Sequence, residues 1–174
     1  VDVSREEQTV TSDSAEHISI EVGGKEIVFE TGKVARQANG AIWARVGGTV
    51  ILTACIAEPK PREGADFLPL QVDYRERFYA AGRFPGGFFK REGRPGDLET
   101  LKARLIDRPL RPLFPEGYFH ETQVFVQVFS TDQENQADVV ALTAAAASLY
   151  ISDIPLSTPV AGVRIGRIGD EFVV

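Results

Sequence analysis

Methionine is absent from this 174-residue chain, even at position 1, while cysteine and tryptophan occur once each and histidine twice. The missing methionine points to a processed or excised piece of something longer. A single cysteine, Cys55, excludes a disulfide framework within one chain. Its place in the apolar run TVILTACIA points to a buried strand residue, because a reactive thiol needs an electropositive, partly exposed setting. No apolar run approaches the roughly 20 residues that cross a bilayer, and the N-terminus has neither a basic start nor an apolar signal stretch. The setting these absences leave is a cytoplasm or an organelle matrix, with no membrane partner.

Familiar chemistry is equally scarce. Neither GxxxxGK[ST] nor GxGxxG occurs, which removes the common phosphate-cradling loops. His17 and His120 stand in strand-edge contexts without a Ser or Cys nucleophile pattern, and nothing has metal-ligand spacing, so the chain offers no catalytic residue and no metal ligand. The stretch TDQENQAD carries carboxylates but lacks the glycine of a calcium loop, and reads as a strand-to-helix connector whose acids favour the helix N-terminus.

What is present is 43% hydrophobic and 25% charged, the make-up of one ordinary globular domain. A net charge of −6 argues against a nucleic-acid partner, because Lys and Arg must neutralise phosphates. Its distribution argues the other way. Between Arg83 and Arg111 eight basic side chains face four acidic ones, a local +4 that leaves −10 for the rest.

Residues 1–15 are polar, acidic and aperiodic, which predicts a flexible tail ahead of a domain over 16–174. HISIEVGGKEIVFETG and AIWARVGGTVILTACIA each alternate around a Gly-Gly pair, which predicts two hairpins. A strand follows in DFLPLQVDYRERF, with Leu68, Leu70 and Val72 on one face, and another in ETQVFVQVFS, with Val124, Val126 and Val128 on one side. ADVVALTAAAASLYIS is helix-forming and apolar nearly all round, hence a buried central helix. AGVRIG and EFVV predict two short strands around Gly169 and Asp170, and the chain stops inside the second, which reads as a truncation at the C-terminus. Hairpins followed by alternating strand and helix make the fold class α+β.

Between the third and fourth strand signals lie a loop and a helix. GDLETLKARLIDRPLRP predicts a helix with Asp97 at its N-cap, a core stripe of Leu98, Leu101 and Leu105, and a stop at Pro109 and Pro112. Arg104, Arg108 and Arg111 follow at i, i+4 and i+7, opposite that stripe. They form either an anion-binding strip or a solvated face in which Asp107 pairs Arg104 and Arg111 and leaves Arg108 free. The loop, GGFFKREGRPG, sets Phe88 and Phe89 beside Lys90, Arg91 and Arg94. Aromatic faces stack unpaired bases for roughly 1 to 3 kcal/mol each while cations hold the backbone. Otherwise the two rings tuck into the core or a subunit interface.

Three segments, FETGKVARQANGAIWARVGGTVILTACIA, DFLPLQVDYRERFYAAGRFPGGFFKREGRP and ETLKARLIDRPLRPLFPEGY, resemble the first RNase PH domain of the polynucleotide phosphorylase family. The likeness runs from about residue 18 to the C-terminus and is most specific from Arg75 to Tyr118. It implies an RNase PH-like fold, a ribosomal-protein-type mixed sheet with packed helices. It implies membership of a polyribonucleotide nucleotidyltransferase, a phosphate-dependent 3′ to 5′ exoribonuclease of RNA degradation in which inorganic phosphate is the co-substrate. The family forms a homotrimer ring, with RNA-degradosome proteins as further partners. Its catalytic residues and its Mg2+ or Mn2+ belong to a second RNase PH domain outside this chain. What carries over here is the path of single-stranded RNA through the ring: Phe88, Phe89, Lys90 and Arg91 match the channel loop, where Lys90 replaces an arginine and loses its planar fork. Arg94, Arg104, Arg108 and Arg111 extend that path. A ring-forming domain with no RNA contact is the alternative.

Overall fold

Two glycine pairs fold the first part of the chain. In the computed structural model, which describes residues 15–173, β1 (Glu16–Val22) and β2 (Lys25–Thr31) turn at Gly23 and Gly24. Both have positive φ, 60° and 75°, the conformation of a tight two-residue hairpin. β3 (Gly40–Val46) and β4 (Thr49–Pro61) turn at Gly47 and Gly48, of which Gly47 alone takes a positive φ, 55°. The expected tail over 1–15 falls, but for its last residue, outside the described residues.

With β5 (Leu70–Glu76) and β6 (His120–Ser130) these form a six-stranded sheet in the order β1-β2-β3-β4-β6-β5. Every pair is antiparallel except β5 with β6. A parallel pair needs a crossover, and here it is α1 (Asp97–Leu110) between two short 3-10 turns, Phe78–Ala81 and Arg111–Leu113. α2 (Ala137–Tyr150) lies across the sheet, and a separate hairpin of β7 (Gly166–Ile168) and β8 (Glu171–Val173) follows. The architecture is α+β, as the element order indicates.

The core lies between the sheet and α2. Ile42, Ala44, Ile51, Cys55, Val124, Val126 and Val128 meet Ala141, Ala144, Ala145 and Leu149. Small residues on α2 let its backbone approach closely. The Thr53 hydroxyl donates to the Ala144 carbonyl at 3.0 Å, and the Cys55 thiol reaches the Ser148 carbonyl at 3.2 Å. A side chain on Gly40 would place its Cβ 2.1 Å from that same Ser148 oxygen. Burial pushes the Cys55 thiol pKa up, as an inert core cysteine requires.

α1 differs from its sequence reading in three respects. Its N-cap is Gly96, not Asp97, and Glu99 Oε2 accepts the Gly96 N–H at 2.8 Å. Pro109 sits within the last turn, and the helix ends at Leu110, where a 3-10 turn containing Pro112 begins. Most consequential is the buried face: Ile106 and Leu110 are fully buried, while Leu98, Leu101 and Leu105 are exposed. The helix carries two apolar stripes, and its anchors to β5 choose the shorter one. At 3.6 residues per turn the arginines lie beside the exposed leucines rather than opposite them, whichever face is buried. A smaller difference is that β7 begins at Gly166. Residues 161–165 run along α2 instead, with the Gly162 N–H on the Thr143 hydroxyl (3.0 Å) and Arg164 on Asp138 (2.8 Å).

Candidate functional site

β5 is the outer strand of the sheet, and its free edge sets the position of α1. Because the Thr122 N–H bonds the Pro69 carbonyl, the peptide groups of Leu70, Val72, Tyr74 and Glu76 point away from β6. A side chain of α1 and one of the 3-10 turn that follows it take up the ends of that edge. Glu99 Oε1 accepts the Glu76 N–H at 2.9 Å, and Arg111 donates to the carbonyls of Leu68 (3.0 Å) and Leu70 (2.9 Å). Arg111 also binds Asp107 at 2.8 Å. Between these ties lies a cleft of about 310 Å³, lined by Val72, Tyr74, Ala103, Arg104 and Arg111 among others.

Beyond β5 the chain makes its 3-10 turn and then an arch. Gly82 takes a left-handed φ of 65° and caps the turn, with its N–H on the Tyr79 carbonyl and the Arg83 N–H on that of Phe78. On the returning limb Glu92 accepts the Phe78 N–H at 2.9 Å and lies 3.9 Å from Arg77. The stem is thus closed, and residues 84–91 stand out from it. Phe88 and Phe89 are 93% and 80% exposed and touch only each other among aromatic side chains, edge to face, with centroids 5.4 Å apart. Core burial of the rings within this domain is excluded by that exposure. Lys90 has a φ of 49°, a left-handed conformation rare for a side chain of its length.

The eight candidate residues fall into distinct places. Phe88, Phe89, Lys90 and Arg91 share the arch. Arg94 lines a groove of about 650 Å³ between the 3-10 turn and the start of α1, together with Arg77, Arg83 and Lys102. Arg104 borders the β5–α1 cleft with Arg111, and Arg108 is exposed outside both. Among the described residues, Lys90, Arg91, Arg94, Arg104 and Arg108 have no hydrogen-bonding or ionic partner, whereas Arg111 is engaged by the sheet edge and Asp107. Lys102 binds Glu76 at 2.6 Å beneath the Tyr74 ring, and burial followed by the Glu76 charge drives the Tyr74 phenol pKa far above its ordinary value. Sequence reasoning missed the groove's Arg83 and Lys102, although both belong to the basic segment.

Among the described residues no group of three or more His, Cys, Asp or Glu side chains is placed to hold a metal ion.

Comparison with known proteins places these features in a family. The RNase PH family, described as 3′ exoribonuclease family, domain 1, matches residues 23–155. A polyribonucleotide nucleotidyltransferase of Anaeromyxobacter dehalogenans (strain 2CP-C) is 57% identical over 152 residues, covering 87% of this chain and 21% of the relative. Proteins of the same name from Rhodopseudomonas palustris (strain TIE-1) and Desulfitobacterium hafniense (strain Y51) are 56% and 54% identical, each over 90% of this chain and 22% of the relative. The chain thus spans about a fifth of the length of these relatives. Among solved structures, rice (Oryza sativa) Rrp46 superposes with a TM-score of 0.56 at 18% identity, over 86% of this chain and 62% of that one, a likeness of fold.

Proposed function

The chain belongs to the RNase PH family of 3′ exoribonucleases, domain 1, and on that footing we propose that it is the RNA-guiding domain of a polyribonucleotide nucleotidyltransferase. In this reading the arch and the unpaired cations behind it hold single-stranded RNA on its way through a homotrimeric ring. Phosphorolysis, with inorganic phosphate as co-substrate and Mg2+ or Mn2+ as metal, takes place on a second RNase PH domain of the same polypeptide. The compartment is the bacterial cytoplasm or an organelle matrix, with RNA-degradosome proteins as further partners.

The observation that carries the proposal is the exposure of Phe88 and Phe89 on a pinned arch next to Lys90 and Arg91. An exonuclease must pass any sequence, and base stacking is sequence-tolerant because every base has a π-face. The contributors are Phe88, Phe89, Lys90, Arg91, Arg94, Arg104 and Arg108. Arg111, with its guanidinium committed to β5, acts by holding α1 in place. In this reading the domain is inert alone, because the groups that carry out phosphorolysis belong to the second RNase PH domain.

The test uses the isolated chain and RNA filter binding. It should bind single-stranded RNA, lose affinity when Phe88 and Phe89 are both replaced by Ala, and release no nucleoside diphosphate from RNA and phosphate. Turnover by the isolated chain would sink the proposal. A second reading, a ring-forming domain without RNA contact, draws on the exposed Leu98, Leu101 and Leu105. It predicts that the double Ala variant changes assembly and leaves RNA binding per assembled particle intact.

A further inference from the structure

A third ring stands on the arch, and neither the resemblance nor the paired phenylalanines account for it. Phe84 is 90% exposed and has no aromatic neighbour among the described residues. It directly follows Arg83, whose N–H is fixed to the Phe78 carbonyl at 3.0 Å, so the ring leaves the stem from an anchored point. Pro85 comes next and restricts Phe84 to extended backbone. A loop this rich in glycine has no structural need for an apolar ring in water, and a side chain of low conformational freedom on a fixed stem loses little entropy when it binds. Arg83 lines the groove that Arg94 and Lys102 share, while Phe88 and Phe89 follow further along the arch and pack edge to face on each other. Phe84 therefore lies in the chain between a cation-lined groove and a pair of exposed rings.

We propose that Phe84 is a third base-stacking position, seated at the stem of the arch, so that an unpaired strand held by Phe88 and Phe89 continues over Phe84 with its phosphates toward Arg83 and Arg94. The inference rests on the RNA-path reading and extends it from one contact point to a track. It also separates from that reading by experiment. Stacking carries no counterion release, so removing a stacking ring lowers affinity without altering the salt dependence, whereas removing a phosphate contact lowers the slope by about 0.7 per contact on single strands.

In the intact protein, Phe84→Ala, Phe84→Tyr and the Phe88→Ala/Phe89→Ala double variant are compared with the parent, with single-stranded RNA affinity measured at several salt concentrations. Sedimentation reports assembly alongside. The expected result for Phe84→Ala is a loss of about 5- to 160-fold at fixed salt, the equivalent of one stacked base, with an unchanged salt slope and unchanged assembly. Phe84→Tyr, which keeps a ring face, should retain the parent affinity. If Phe84→Ala binds like the parent while the double variant is weakened, the third position is wrong and the RNA path stands. If both bind like the parent, the path itself is wrong and Phe84 falls with it. Altered assembly with undiminished affinity per particle would make Phe84 an interface residue and also overturn the proposal.

Discussion

Arg108, in the last turn of α1, and Arg111, three residues on at its C-cap, should respond in opposite ways to removal. Arg111 donates to Leu68 O and Leu70 O at 3.0 and 2.9 Å and pairs with Asp107 at 2.8 Å. Its side chain is 41% exposed, so the ion pair contributes at the surface scale, about 0.2 to 1 kcal/mol. The two carbonyl bonds contribute more, but truncation does not leave both acceptors bare: Leu68 O keeps the Leu70 N–H, and Leu70 O borders a cleft of about 310 Å³ that admits water. A net cost of about 1 to 2 kcal/mol follows for Arg111→Ala, which for a domain of this size lowers the melting temperature by about 2 to 8 °C. Arg108 has no partner among the described residues, so Arg108→Ala should stay within about 0.5 kcal/mol of the parent. RNA binding reverses the order. Arg108→Ala should lower the salt slope by about 0.7, and Arg111→Ala should leave it alone. Thermal melts and filter binding across a salt series read both quantities on the same preparations. An Arg111→Ala protein that melts like the parent but loses salt slope would mean that the guanidinium serves phosphate rather than β5, and would refute the division.

Other consequences follow from single features. Ile106→Ala empties a fully buried site between α1 and the sheet and should cost about 2 to 5 kcal/mol in denaturant unfolding, whereas Leu101→Ser on the exposed stripe should leave the isolated chain nearly unchanged. Lys90→Gly relieves a left-handed backbone and should hold or raise stability while it lowers the RNA salt slope, and Lys90→Arg should tighten binding with the slope kept. Asp132 is held below its ordinary value of 3.8 chiefly by the Asn135 N–H, assisted by the Asn135 side-chain amide and the Gly48 and Glu134 N–H groups. Its stabilising effect is complete above that value and is lost as pH falls through the lowered one. Acid titration of Asp132→Asn, followed by circular dichroism below pH 3.8, should show a shallower decline than the parent.

Where the sequence foretold the structure, the signal was local. Glycine enters positive φ cheaply, as Gly23, Gly24 and Gly47 do, so both hairpins could be placed to the residue, and the strict alternation of Val124, Val126 and Val128 could only mean one buried face. The uniform apolarity of α2 carried the same weight, because no surface helix needs it. Long-range bonds were not legible. Asp132 lies in a connector that reads as polar linker, yet its carboxylate accepts from the Gly48 N–H at 2.9 Å and the Thr49 hydroxyl at 3.0 Å, fastening the β3–β4 turn to the start of α2. Composition could not decide whether Phe88 and Phe89 were core, interface or contact surface, and their exposure removes the first of the three.

α1 shows why spacing alone misleads. Leucines at 98, 101 and 105 and the pair Ile106 and Leu110 both satisfy helical periodicity, so hydrophobic pattern leaves the rotation of the helix undetermined. What fixes it is polar: Glu99 at one end and Arg111 at the other reach the outward peptide groups of β5, and only one rotation brings both within 3.0 Å of their partners. That rotation makes the three arginines unequal. Arg111, at the junction with the 3-10 turn, is spent on the sheet, while Arg104 and, one turn on in the last turn of the helix, Arg108 are left without a side-chain partner among the described residues, beside the exposed leucines. A row of guanidiniums in a sequence is therefore a row of candidates for any acceptor within reach, and an unpaired strand edge competes for them as effectively as a phosphate does.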